Sequence, residues 1–128
     1  MIEINNTTSR KINIGRIKKI TENFSKKYKI KEGVSLAVIG DRKMKQLNCL
    51  YRGQDKITDI LTFVDLNEII INFNQIVRQA QEGKKKIWDE FEFMFVHGLL
   101  HLSGFDDSNE KDRLKMIELG DNFLFSLK

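Results

Sequence analysis

The spacing of four short apolar segments constrains the fold of this 128-residue chain more than any other feature. Met1 to Asn5, Val34 to Ile39, Ile60 to Val64 and Ile69 to Phe73 have the length and the apolar, β-branched composition of strands. Because four residues separate the last two segments, we expect them to form an antiparallel hairpin. The other connections are long enough for the helical crossovers that parallel neighbours require. The spacing therefore predicts a mixed four-stranded sheet.

The longer stretches between and after the four strand segments show helical periodicity. Apolar residues recur at helical spacing from Ile14 to Tyr28, and a second apolar stripe ends near Gly53. No repeat, linker or low-complexity tract interrupts residues 1–128, so we predict a single α+β domain with four to five helices packed on the sheet. The other predicted helices run from about residue 74 to residue 83, from Ile87 to Leu102, and from Ser108, a suitable N-cap, to Leu127.

Residues 97–107, His-Gly-Leu-Leu-His-Leu-Ser-Gly-Phe-Asp-Asp, carry the clearest chemical signal. His97 and His101 are the only histidines, and a spacing of four places them on one face of a helix, about 6 Å apart along its axis. Gly104 suits a left-handed helix end that returns Asp107 toward them. Three protein ligands leave one coordination position open for water, which is typical of catalytic zinc sites. The spacing therefore predicts one metal ion that serves hydrolysis.

Two alternatives to a hydrolytic metal site fit part of this pattern. Paired histidines also occur on ordinary buried helix faces, and Asp107 would then be an ordinary loop acid. The spacing is shared with zincin metallopeptidases, in which the glutamate after the first histidine is the general base. The corresponding residue is Gly98, which has no side chain that could take a proton from water. A peptidase of this kind is therefore disfavoured.

Residues 97–107 resemble the signature of the YbeY family, His-Gly-x-Leu-His-Leu-x-Gly-Tyr-Asp-His. This family comprises bacterial metal-dependent endoribonucleases that act as rRNA maturation factors. Residues 48–63 are similar to a second family segment, Asn-x-x-(Phe/Tyr)-Arg followed by Thr-Asp-Val-Leu-Ser-Phe. The signature is matched at seven positions: His97, Gly98, Leu100, His101, Leu102, Gly104 and Asp106.

One departure from the signature concerns the metal. Asp107 stands where the family has a third histidine. A carboxylate is an acceptable zinc ligand, but it shifts preference toward harder ions. We therefore expect one Zn²⁺ per chain, held by His97, His101 and Asp107. Another divalent ion in the same site is the alternative.

The resemblance also implies roles for neighbouring residues. Arg52 would be the functional arginine facing the metal cleft, where a guanidinium can fork onto phosphate oxygens. Together with His97 and His101 it forms the predicted catalytic set. Asp106 and Glu90 match family acids and are expected to support the metal ligands. For Glu90, an ordinary salt bridge is an equally open role.

Charge is distributed unevenly along the chain. Residues 1–56 hold 14 Lys and Arg against 5 Asp and Glu, whereas residues 57–128 hold 8 against 13. Lys18, Lys19, Lys26 and Lys27 lie in the basic part and are the predicted RNA-binding lysines. Solvated helix faces would explain the same lysines without RNA. We expect Trp88 and its aromatic neighbours in the histidine helix to pack in the core rather than stack on bases.

The resemblance supplies the cellular setting. It implies cleavage of single-stranded RNA in rRNA maturation and ribosome quality control, with the small ribosomal subunit and an Era-type GTPase as partners. A non-catalytic RNA-binding or ribosome-assembly factor with a vestigial metal site is the alternative. A cytoplasmic protein with no membrane association is expected, because the chain shows no signal-like N-terminus and no apolar run near the roughly 20 residues of a membrane span. The single cysteine, Cys49, is expected to pack on a helix.

Overall fold

A computed structural model describes residues 2–128 of the chain. Four strands form one sheet in the order β1-β2-β4-β3, in which β1, β2 and β4 are parallel and β3 is an antiparallel edge strand. The predicted α+β class, mixed sheet and hairpin are confirmed. The strands are β1 (Ile2–Asn6), β2 (Val34–Ile39), β3 (Ile60–Phe63) and β4 (Glu68–Asn72), and the helices are α1 (Ile14–Lys27), α2 (Asp41–Arg52), α3 (Phe73–Glu82), α4 (Ile87–Leu102) and α5 (Glu110–Ser126).

Alternation along the central strands produces two apolar layers. Leu36 and Val38 of β2 point into the larger core, which α1, α4 and α5 cover, whereas Ile39 joins Met44 of α2 in a smaller cluster on the other face. Burial on both faces explains why β2 and β4 are nearly continuous apolar runs. The edge strand β3 packs against α4, so the histidine helix lies beside the unpaired edge of the sheet.

Some predicted boundaries shift by a residue. The second hairpin strand ends at Asn72 because the side chain of Asn72 accepts a hydrogen bond from the amide of Asn74 and caps α3, so Phe73 is helical. The prediction that Ser108 caps the last helix is wrong. Asn109 is the cap, and its side-chain oxygen accepts the amide of Asp112 at 2.8 Å. The part of the first predicted strand at Met1 lies outside the described residues.

Two packing expectations are also wrong. Cys49 is exposed, because it lies on the outer face of α2. Trp88, in the first turn of α4, is 41% exposed although its ring contacts Phe73 and Phe91, whereas its neighbours Phe91 and Phe95 are buried in the core as expected.

Asp41 joins three elements at one end of the sheet. Its carboxylate accepts two hydrogen bonds from Arg78 of α3, at 2.7 and 3.0 Å, and one from Asn72 at 2.8 Å. The Arg78 hydrogen bonds, opposed in part by burial and reinforced by Asn72, lower the pKa of Asp41 to about 2.

We predict that Asp41→Asn reduces the free energy of unfolding by about 1 kcal/mol near pH 7, a value discounted for the exposed Arg78 partner. Because the pKa of Asp41 is lower in the folded state, its stabilisation is complete above the unfolded pKa of about 4 and disappears as the pH falls toward 2. Denaturant unfolding of both proteins between pH 7 and pH 2 checks this. A difference that stays constant down to pH 2 would contradict the assignment.

Candidate active site

The end of α4 is fixed by a Schellman motif. The amide of Phe105 donates to the carbonyl of Leu100 and the amide of Gly104 to that of His101, each at 3.0 Å. Gly104 has a φ of +109°, a conformation that glycine adopts without a Cβ penalty. The ring of Phe105 packs against Tyr28, which directly follows α1, and anchors the chain after the turn. This reversal brings residue 107 back toward α4, as the sequence predicted from Gly104.

His97, His101 and Asp107 converge on one point. The Nε2 atoms of His97 and His101 lie 3.2 and 3.4 Å from the same oxygen, Oδ2 of Asp107. One potential ligand atom from each residue falls within 4.8 Å of the others. All three side chains are partly buried, so they are shielded from bulk water without being closed to it. Metal binding by this cluster is thus geometrically feasible.

The separations fit a small divalent ion. Ligands held about 2.0 to 2.1 Å from a tetrahedral ion lie about 3.3 Å from one another. The two imidazole-to-carboxylate distances of 3.2 and 3.4 Å are close to that spacing, and the shorter one is also a hydrogen bond between His97 and Asp107. Two imidazoles and one carboxylate also form a donor set that zinc and its neighbours accept. The donor set and two of its three separations therefore fit a metal with three protein ligands.

Electrostatics favour the form of His97 that can ligate. Burial lowers the pKa of His97, and the nearby His101 lowers it further, which together outweigh the opposing effects of Asp107 and Asp59. A histidine must be neutral to offer a lone pair to a metal. His97 is therefore held in its ligating form to lower pH than an exposed histidine would be.

A cavity of about 350 Å³ opens over this cluster. Its walls come from three elements and two loops: α4 supplies the histidines and Met94, the end of α2 supplies Arg52, and the edge strand β3 runs along one side, with loop residues before β3 and after α4 completing the wall. Arg52 is exposed and is followed directly by the helix end at Gly53, whose φ of +66° turns the chain away. The cavity thus combines a potential metal site with a permanent cation.

Comparisons with known proteins identify the family of this chain. A family model described as Endoribonuclease YbeY matches residues 2–128. The chain belongs to the YbeY family. It is 38% identical over 106 residues to Endoribonuclease YbeY of Thermodesulfovibrio yellowstonii, a match that covers 74% of this chain and 67% of the relative. It is 34% identical over 134 residues to that of Aliarcobacter butzleri, covering 96% and 92%.

A solved structure shares the fold. The fold is similar to the solution structure of a Thermotoga maritima protein, with a TM-score of 0.73 and 27% identity, covering 98% of this chain and 90% of that one. The YbeY relatives are named endoribonucleases, so this chain is a member of an endoribonuclease family. No helix among residues 2–128 combines the length and the apolar character needed to cross a bilayer.

Gly98, a residue of the YbeY signature, permits close packing of α4 on the sheet. A Cβ at this position would lie 3.1 Å from the side chains of both Ile60 and Ile69. A glutamate, as in the zincin motif, would therefore meet the apolar face of the sheet rather than the metal cluster. The close packing of α4 on the sheet therefore explains why a glycine occupies the position at which zincins carry their glutamate.

We predict that Gly98→Ala lowers the free energy of unfolding by about 1 kcal/mol, because a packing cost of about 1–3 kcal/mol exceeds the gain of about 1 kcal/mol in helix propensity. The matched control is Gly120→Ala in α5, where the new Cβ would find its nearest neighbours at 3.8 to 4.0 Å. That variant should be stabilised. Urea unfolding of both checks the contrast, and a stabilised Gly98→Ala would show that the contact with the sheet is not tight.

Glu90 and Asp106, the two acids expected to support the metal ligands, form hydrogen bonds with other residues. The buried carboxylate of Glu90 accepts hydrogen bonds from Lys85 at 3.0 Å and from Gln79 at 2.9 Å, so the structure shows the salt-bridge alternative. Asp106 is exposed, and its carboxylate accepts the hydroxyl of Ser108 at 2.9 Å. Neither of these contacts involves a histidine.

The predicted lysines do not line the metal cavity. Lys18, Lys19, Lys26 and Lys27 are all exposed on α1, and Lys18 lines a separate cavity beside β1 and β2. The structure therefore separates the predicted catalytic set from the predicted RNA-binding lysines.

Sequence reasoning missed the position of Asp59 beside the histidines. Local sequence indicates only a turn role for Thr58 and Asp59 ahead of β3, yet both line the metal cavity. Asp59 is close enough that its charge acts on the pKa of His97. The signal was available in the Thr-Asp pair of the second YbeY segment, which matches the family as well as Arg52 does.

Proposed function

We propose that this chain is a metal-dependent endoribonuclease that cleaves single-stranded RNA in rRNA maturation and ribosome quality control. One observation carries the proposal: two imidazoles and a carboxylate converge within 4.8 Å in a cavity that Arg52 also lines. Membership in the YbeY family, whose matched relatives are named endoribonucleases, supports RNA as the substrate.

The residues of the cavity have two different roles in this proposal, metal binding and phosphate binding. His97, His101 and Asp107 would hold one divalent ion through Nε2, Nε2 and a carboxylate oxygen. When bound, such an ion supplies Lewis-acid chemistry, which polarises a phosphoryl oxygen and makes water a stronger acid. Arg52 binds phosphate oxygens through its guanidinium and offsets the negative charge that develops on them during cleavage. The partly buried walls limit access of bulk water and strengthen these interactions.

The proposed ion is Zn²⁺, with one ion per chain. Two neutral imidazoles favour zinc, whereas the carboxylate of Asp107 improves the site for harder ions such as Mn²⁺. We predict that Asp107→His raises the affinity for Zn²⁺ relative to Mn²⁺ by at least about tenfold, because it replaces a hard anionic oxygen with a third imidazole. Competition titrations with a chromophoric chelator measure the ratio. An unchanged ratio would show that Asp107 is not a ligand.

The proposal for the lysines rests on the charge distribution, and the proposed cellular setting rests on family membership. We propose that the exposed lysines of α1, at positions 18, 19, 26 and 27, bind RNA phosphates outside the cavity. Single-stranded rRNA is the proposed substrate, the small ribosomal subunit and an Era-type GTPase are proposed partners, and the cytoplasm is the proposed location.

A cleavage assay tests the function. A fluorescently labelled single-stranded RNA, and the same RNA annealed to its complement, are incubated with protein that has been treated with a chelator and then reloaded with Zn²⁺, Mn²⁺ or Mg²⁺. We expect internal cleavage of the single strand only after metal is returned, and little cleavage of the duplex. Cleavage that persists in chelator, or its absence with every ion, would contradict the proposal.

A further inference from the structure

An exposed aromatic ring stands next to the cavity in a position that the proposed mechanism does not use. Tyr51 precedes Arg52 in the last turn of α2 and is 60% exposed. Its ring centroid lies 5.2 Å from that of Phe63, and the two ring planes are inclined by 68°. Such an edge-to-face contact covers at most one face of one ring. The Tyr51 ring is therefore supported on one side and open to solvent elsewhere.

Phe63 connects this ring to the wall of the cavity that holds the metal cluster. It ends the edge strand β3 and lines the same cavity as His97, His101 and Arg52. At about 3.3 Å per residue, the strand from Ile60 to Phe63 spans about 10 Å along the cavity wall. Phe63 therefore lies at one end of this cavity wall with Tyr51 against it, while other residues of the cavity carry the metal cluster and the arginine.

We propose that Tyr51, supported by Phe63, is a stacking site for a nucleobase of single-stranded RNA close to the phosphate that is cleaved. The inference rests on the proposed endoribonuclease function and adds a base-binding subsite to it. Every base has a π-face, and an exposed ring beside a cation is the arrangement that binds single strands. Arg52 would hold the phosphate while Tyr51 holds a neighbouring base. Base-paired RNA cannot splay a base onto the ring, so this subsite contributes to single-strand selectivity.

Other aromatic rings of the protein are less suited to this role. Phe91 and Phe95 of the histidine helix are fully buried. Trp88 is exposed, but it lines a different cavity with Lys11 and Arg16, away from the metal cluster. Among the described residues, Tyr51 combines high exposure with direct contact to a ring that lines the metal cavity.

The test measures RNA affinity separately from cleavage. Binding of a fluorescent single-stranded oligonucleotide is followed by anisotropy with chelator-treated protein, so that the RNA stays intact. Tyr51→Ala should weaken binding about 5- to 100-fold, because one stacked base is lost. Tyr51→Phe, which keeps the ring, should bind within about twofold of the unchanged protein. The matched control is Leu50→Ala, which removes a neighbouring side chain that is 73% exposed and should also stay within about twofold.

The possible results distinguish failure of the stacking site from failure of the proposed endoribonuclease function. Unchanged binding by Tyr51→Ala, in a protein that binds and cleaves RNA, would overturn the stacking site and leave the endoribonuclease proposal intact. Equal losses in Tyr51→Ala and Tyr51→Phe would also overturn it, since the hydroxyl and not the ring would then be responsible. Failure of the unchanged protein to bind or cleave RNA would overturn the proposed function, and the stacking site with it.

Discussion

Replacement of His101 with alanine should reduce metal affinity by more than about 100-fold and abolish measurable RNA cleavage. Loss of a residue that only supports a metal ligand typically costs 10- to 100-fold, and loss of the ligand itself should cost more. The remaining pair, His97 and Asp107, would hold an ion by two groups 3.2 Å apart. Metal titration and single-turnover cleavage of a labelled RNA measure both effects.

The control for this variant is Asp89→Ala, which removes an exposed side chain from the same helix. Metal affinity and cleavage should stay near those of the unchanged protein. Thermal unfolding checks that His101→Ala remains folded, which we expect because His101 is only partly buried. Cleavage at full rate by a folded His101→Ala variant would show that the histidine cluster is not needed for the reaction.

Arg52→Ala should lower the rate of cleavage at saturating RNA by about 100- to 1000-fold while weakening RNA binding much less. One phosphate contact among several is lost in the ground state, but charge that develops on the phosphate during cleavage loses its counterion. Arg52→Lys should recover only part of the rate, because an ammonium cannot fork onto two oxygens. The exposed position of Arg52 makes both variants structurally mild. Single-turnover rates at increasing RNA concentration separate the two effects.

For variants of the α1 lysines we expect the opposite of the Arg52→Ala result, with RNA binding affected more than the rate. Lys18→Ala combined with Lys19→Ala should weaken RNA binding, flatten its dependence on salt and spare the rate at saturation, because these exposed residues lie outside the metal cavity. A similar fall in rate at saturation for the lysine and arginine variants would contradict the separate roles of the two regions.

Periodicity and spacing were sufficient to predict most of the fold. The hairpin followed from the four residues between two apolar segments, and the parallel strands followed from connections long enough for helices. The helix that carries the histidines was predicted at its observed bounds, Ile87–Leu102, because an apolar run and Gly104 mark its extent. Segment spacing, connection length and helix-ending residues are local features, so they can be recognised in a single sequence.

What the sequence did not reveal depends on contacts between elements. Glu90 lies on the histidine face by helical spacing, yet Lys85 and Gln79 reach it from the preceding loop and from α3. The approach of Asp59 to His97 depends on how β3 packs beside α4, which local turn chemistry does not indicate. Exposure of Trp88 and Tyr51 likewise depends on which neighbours cover them. Only the assembled fold determines these distances.

The most direct test of the proposed metal site is a crystal structure of the zinc-loaded protein with anomalous data collected at the zinc edge. We predict one anomalous peak per chain in the cavity beside β3, with Nε2 of His97, Nε2 of His101 and a carboxylate oxygen of Asp107 each about 2.0 to 2.2 Å from it. An ion bound elsewhere, or a cavity that stays without a peak at saturating zinc, would contradict the assignment of this cluster as the metal site.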